Sequence, residues 1–213
     1  MASKSVRAFV FLLVLSMLLP VTPVMAQAKK IRLKSNSGKV RVDNVRTPDF
    51  KDSKKGSNGN GGYWTAIEVE FELDAKKDEW LDNLEIFYRV LIHRKDNDKF
   101  ILAERSIDYN DVQGGKKLFA VAYLKPNFSR RYFNSKTADL SAISVYIEIR
   151  SDGAPIQKKT ELITVTGNGV PKDWFSGKRL ENVRVVSDVI FRKSETPFAA
   201  LDYDYYLDEK PAR

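Results

Sequence analysis

No cysteine occurs in the chain, histidine occurs once, at His93, and methionine three times. Without thiols there is no disulfide framework and no thiolate zinc site, and a multi-histidine metal centre is excluded with them. A His-dependent triad would rest on His93 alone, which falls in a strand pattern beside Arg94 and Lys95. A packed or surface histidine fits that place better than a catalytic base. No run of five to eight lysines and arginines appears, so nucleic acid is not an expected partner. Neither the P-loop nor the dinucleotide glycine spacing is present. Lys51–Gly62 (KDSKKGSNGNGG) has no apolar residue and reads as a loop. No cofactor is expected.

Long apolar runs are missing too, except at the start. Lys4 and Arg7 precede an apolar stretch from Ala8 to Leu19, then Pro20 and small residues follow. Residues 1–26 read as a secretory signal peptide, with cleavage after Ala26 or Ala28, and no transmembrane segment is expected after cleavage. The remainder, 27–213, reads as a single domain in the periplasm or at the cell surface. The formal charge is +8, from 36 basic and 28 acidic residues; loss of Lys4 and Arg7 lowers it to +6. A chain of this length removes roughly 70% of its exposable surface on folding, enough for a core without covalent staples.

Alternation is what the sequence has in abundance. In Tyr63–Leu73 the residues Tyr63, Thr65, Ile67, Val69, Phe71 and Leu73 share one face, and Trp64, Ala66, Glu68, Glu70 and Glu72 the other. Leu84–His93 repeats the period, and the two are expected to pair antiparallel. Further strands are expected over Ile31–Leu33 with Val40–Val45, Phe100–Tyr109, Lys117–Leu124, Ile143–Ile149, Gln157–Val165 and Leu180–Arg192. Pro126–Ala138 is a helical turn or an ordered loop. Thr166–Lys178 is a turn-rich crossing of the kind that changes sheets. The expected fold is all-β, an immunoglobulin-like antiparallel β-sandwich of about eight or nine strands.

Glu68, Glu70 and Glu72 suit cross-strand pairing with Lys and Arg on neighbouring strands better than catalysis. Asp96 and Asp98 match only a fragment of a calcium loop. The most unusual stretch is the end, where Asp202, Tyr203, Asp204, Tyr205, Tyr206 and Asp208 fall within seven positions. Tyrosine has an apolar body and a polar tip, which suits interfaces and sugar stacking. The candidate partner-binding residues are Trp174, Asp202, Tyr203, Tyr205 and Tyr206. Two readings of the tail stand side by side. It is an interface or sugar-stacking surface that can be removed from Asp202 onward without unfolding the domain, or it is a terminal strand or extended arm folded back over the sandwich with its tyrosines partly buried. The two are compatible if the tail docks on a partner's sheet edge.

Taken with the export signal, WTAIEVEFEL at Trp64–Leu73 and SETPFA at Ser194–Ala199 ahead of the tyrosine-rich end resemble the pilus-like immunoglobulin-fold proteins encoded beside type IV pilus-like genes in Akkermansia and related bacteria. That resemblance implies a β-sandwich, a periplasmic or surface location, no enzymatic activity, and pilus-like or secretion-system envelope proteins as partners. The expected function is that of a noncatalytic exported structural or interaction protein, an accessory component of such an assembly. The alternative is a carbohydrate-binding module that stacks a surface glycan on exposed rings of Trp174, Tyr203, Tyr205 and Tyr206.

Overall fold

The computed structural model describes residues 31–48, 62–94, 99–158, 161–164, 170–171, 173–176 and 181–211. The expected signal peptide, most of the Lys51–Gly62 loop, the Asp96 and Asp98 pair and most of the Thr166–Lys178 crossing lie outside them. Every described residue belongs to one unit, Ile31–Arg213.

In chain order the elements are β1 (Lys39–Arg46), β2 (Tyr63–Glu72), β3 (Trp80–Leu81), β4 (Leu84–Arg94), β5 (Lys99–Tyr109), β6 (Val112–Gln113), β7 (Lys117–Leu124), α1 (Pro126–Phe133), β8 (Ile143–Ser151), β9 (Ala154–Pro155), β10 (Ile163–Thr164), β11 (Val183–Val186) and β12 (Ile190–Arg192). They form two main sheets, β1-β2-β7-β12 and β10-β8-β4-β5-β11, with β9 on β8 and a small β3-β6 ladder. This is the all-β sandwich that the alternation predicts.

Each inner face is one parity of its strands. Ile67, Val69 and Phe71 of β2 and Leu118, Ala120, Ala122 and Leu124 of β7 share a core with Ile86, Tyr88, Val90 and Ile92 of β4 and with Val145, Ile147 and Ile149 of β8. Such burial stabilises by about 25 cal/mol per Å² of apolar surface removed from water, which is why strict period two is so strongly held here.

Three expectations are corrected. β2 and β4 are not partners: β2 lies between β1 and β7, and β4 between β5 and β8. Period two reports a buried face and says nothing of which strand lies alongside. Among the described residues of Gln157–Val165 only the two-residue β10 is strand, and beside it the Gln157 side chain takes up part of the ladder. Its Oε1 accepts from Ile149 N at 2.7 Å and its Nε2 donates to Ile147 O at 2.6 Å. Leu180–Arg192 is not one strand. It breaks at Asp188, which sits at φ 57°, so β11 lies parallel to β5 in one sheet and β12 antiparallel to β7 in the other.

The ambiguous stretch after β7 is a true helix. Pro126 stands in its first turn, where a missing N–H costs nothing, and Asn134 ends it in the left-handed region at φ 50°. The segment that follows is tied to β1 by Asn44. Its Nδ2 donates to Ala138 O at 2.9 Å, while its Oδ1 accepts from Ala138 N at 3.2 Å and from the buried Thr65 hydroxyl at 3.2 Å. Asn44→Ala leaves these groups without their partner and is expected to destabilise the fold by about 2 kcal/mol, read as a lower urea midpoint at unchanged slope.

Candidate functional site

The tyrosine-rich end folds back over the outer face of the first sheet, and its course is fixed by bonds at both ends. After β12 a 3-10 turn, Lys193–Glu195, presents its backbone donors to Glu209. The Glu209 carboxylate accepts from Lys193 N at 2.8 Å, Ser194 N at 3.0 Å and Ser194 Oγ at 2.5 Å. Beside it Asn110 N donates to Asp208 O, Lys210 N to Asp108 O and Leu207 N to Phe119 O, while Arg192 Nη1 reaches Lys210 O. Glu209 thereby forms an isolated bridge with Tyr109.

Aromatic side chains seat the segment between these anchors. Phe198 lies flat on Tyr123 with ring centres 4.7 Å apart and meets the edge of Trp64 at 6.0 Å. Tyr205 stacks on Phe119 at 4.3 Å, and the Tyr206 hydroxyl donates to Glu68 at 2.9 Å. Burial, reinforced by the Glu68 bond, pushes the Tyr206 phenol well above its usual range. Lys193 is almost fully covered, with Nζ donating to Ala199 O at 3.0 Å and lying over the Tyr206 ring. Burial pulls that ammonium below its usual range, against the opposing pull of Glu209, Asp202 and Asp208.

The glutamates of β2 do what their spacing predicts. Glu70 accepts from Lys117 Nζ at 2.8 Å, Arg41 lies near both Glu68 and Glu70, and Lys34 pairs with Glu72 at 2.6 Å. The Lys117 bond holds the Glu70 carboxyl below the usual carboxylate range. On the second sheet Arg150 joins Glu148 at 2.6 Å and Glu85 at 3.1 Å in the same manner. Among the described residues no three His, Cys, Asp or Glu side chains gather closely enough to hold a metal ion, and no helix is long and apolar enough to cross a membrane.

The candidate partner-binding residues separate into three settings. Tyr203 and Tyr205 are 75% and 46% exposed, next to the exposed Asp202 and to Leu201. Tyr206 is half-buried and spent on Glu68. Trp174 is not with them: it is 2% exposed on the outer face of the other sheet, packed with Leu91, Phe100, Tyr146 and Phe175. The exposed, coplanar platform expected for stacking a glycan on Trp174, Tyr203, Tyr205 and Tyr206 is therefore not formed. One of the four rings is enclosed, and the Tyr205 and Tyr206 rings stand at 89° to each other.

Two exposed apolar residues escape the sequence reading. Trp80, 56% exposed on β3, is hidden in the charged connection between β2 and β4, and Leu201 precedes the tyrosines without a pattern of its own.

A protein-family model matches residues 25–213. No curated protein matches. Among solved structures, a crystal structure of a protein from Akkermansia muciniphila has a TM-score of 0.71 at 15% sequence identity, covering 86% of this chain and 95% of that one. At that identity the likeness is one of fold, and it bears out the β-sandwich expected from the strand pattern.

Proposed function

We propose that this chain, which belongs to the family whose model spans residues 25–213, is a noncatalytic structural or interaction protein that works in the cell envelope, as an accessory of a pilus-like or related assembly. Its partner is another envelope protein. The observation that carries this reading is where the exposed apolar surface falls. Of the five large apolar side chains exposed among the described residues, three, Leu201, Tyr203 and Tyr205, lie within five positions of the tail. They stand on a segment pinned by Glu209 and by the Phe198 and Tyr206 contacts, so little ordering entropy is lost when a partner covers them. Tyrosine held in this way is a common anchor at protein interfaces.

The test is capture in the cell. A photo-crosslinking residue placed at Tyr203 is expected to trap one or a few envelope proteins, and Leu201→Ser with Tyr203→Ala is expected to abolish co-purification of the same proteins while the purified variant keeps its thermal midpoint within about 3 °C. Recovery of the protein alone, or only in bound glycan, overturns the reading. N-terminal sequencing of the native protein, recovered beginning at Gln27 or Lys29, checks the export it requires.

A further inference from the structure

The strands that end the two main sheets are closed off unequally. β10, β11 and β12 hold two, four and three residues, and the Ile190 carbonyl of β12 is taken by Arg105 Nη1 at 2.7 Å. β1 runs for eight residues without proline and pairs residue for residue with β2, from Lys39 opposite Glu70 to Arg46 opposite Tyr63, so no bulge turns it aside. Among the described residues no other strand lies beside it, and no backbone group of Lys39–Arg46 bonds outside its ladder with β2. On a strand paired along one side, every second residue turns its N–H and C=O away, a template for a further strand. We propose that β1 is a self-association edge: two copies of the chain pair their β1 strands antiparallel about Val42 and join their first sheets into one.

Charge complementarity names the occupant. Val40 and Val42 pack on the shared core and Val45 under the aromatic layer, so Lys39, Arg41, Asp43 and Val45 share the outer face. Arg41 is loosely held there: Glu68 and Glu70 stand 3.6 and 3.7 Å away, and 57% of its side chain is exposed. Asp43 is exposed opposite Ala66, with no ion pair or hydrogen bond among the described residues. A two-fold axis normal to the sheet keeps each face on its own side, so only residues of one parity meet across it. Centred on Val42, the pairing sets Arg41 of each copy opposite Asp43 of the other, Val40 opposite Asn44 and Lys39 opposite Val45. Centred on Arg41 or on Asp43, it would set like charges face to face. Opposite charges directly across a ladder stabilise it and like charges weaken it, and one self-complementary patch is what a closed two-fold dimer uses. A partner strand of a single charge sign would meet either Arg41 or Asp43 with like charge, which favours a second copy. The contact uses no residue of the tail and does not rest on the partner proposed for it.

Sedimentation of the purified native protein from about 1 to 500 μM reads the association directly, and a monomer–dimer equilibrium is expected. Asp43→Arg faces Arg41 with a like charge in both pairs, and Arg41→Glu does the same to Asp43. Each variant alone is expected to raise the dimer dissociation constant roughly tenfold or more, while an equimolar mixture of the two restores dimers, because both mixed pairs are again of opposite sign. Leu201→Ser with Tyr203→Ala is expected to leave the equilibrium unchanged, which separates this edge from the tail. If Arg41→Glu, set beside Glu68 and Glu70, lowers the thermal midpoint, Asp43→Arg decides alone, since the exposed Asp43 carboxylate makes no bond whose loss would unfold the chain. A chain that stays monomeric throughout the range, dimers that survive Asp43→Arg, folded variants whose mixture does not associate, or an equal loss from the tail variant overturns the proposal.

Discussion

A chain ending at Ala200 is expected to lose about 5 kcal/mol of stability, a fall of roughly 10–20 °C in thermal midpoint for a domain of this size. The removed residues include Glu209, whose carboxylate serves three donors, and the backbone pairings of Leu207, Asp208 and Lys210 with Phe119, Asn110 and Asp108. They also include Tyr205 and Tyr206, which cover Phe119 and occupy Glu68. Without them the donors of the Lys193–Glu195 turn and an aromatic patch on β7 face water with no replacement. Glu209→Ala alone is expected to reproduce about half of the loss, since it strips the charge-assisted bonds and keeps the rings. Of the two readings of the tail, the folded-back segment is the one the geometry forms. A truncated chain that melts within 3 °C of the intact one would return the tail to the status of a dispensable arm.

The second large effect is at high pH. Tyr88 and Tyr109 are fully enclosed between the sheets, and their hydroxyls meet no polar group beyond each other. Burial pushes both phenols far above their ordinary value near 10. A phenol whose pKa is raised in the folded chain keeps its proton where the unfolded chain has lost it. The stability it contributes is therefore intact below about pH 10 and falls as the pH climbs toward the folded value, at about 1.4 kcal/mol per pH unit for each residue, or about 3 kcal/mol for the pair. Tyr123, Tyr146 and Tyr206 are shifted in the same direction, each first by burial, and steepen the fall. Phenolate absorbance at 295 nm is expected to rise in one step with the loss of circular dichroism, above pH 10. The double change Tyr88→Phe with Tyr109→Phe should flatten that step and be close to neutral at pH 7, because it removes two hydroxyls together whose only polar neighbours are each other. Gradual titration of all the tyrosines near pH 10 with the fold intact would contradict the enclosure of these rings.

How far the sequence shows this architecture depends on how local each cause is. β2, β4, β5 and β8 stand out because one buried face imposes period two over nine or more residues, and β7 because it is apolar along nearly its whole length. The cross-strand role of Glu70 was legible for the same reason, since its Lys117 partner sits on the next strand. Strand neighbours were not legible: nothing in Glu68 or Arg89 says which ladder each will join. Nor were the two outer coverings. Trp64 and Tyr123 share a strand face with charged residues, and their burial under Phe198 is decided by a segment more than seventy residues further along. Trp174 looked like an exposed ring because its loop is polar, yet Leu91, Phe100 and Tyr146 on the neighbouring strands supply an apolar seat for it.

The bond between Tyr206 and Glu68 spans 138 residues of sequence, and the ties of Asn44 to Ala138 and of Arg105 to Glu195 span 94 and 90. Closing loops of this length before any contact rewards them makes assembly slow, on the millisecond-to-second scale typical of topologies rich in distant pairings. The sheet built on β2 gains its fourth strand only at residue 190 and its outer aromatic layer only after residue 198. During synthesis the chain therefore remains incompletely assembled until nearly all of it has emerged. The export proposed above would gain from such lateness, because an extended chain leaves little finished structure to take apart on the way.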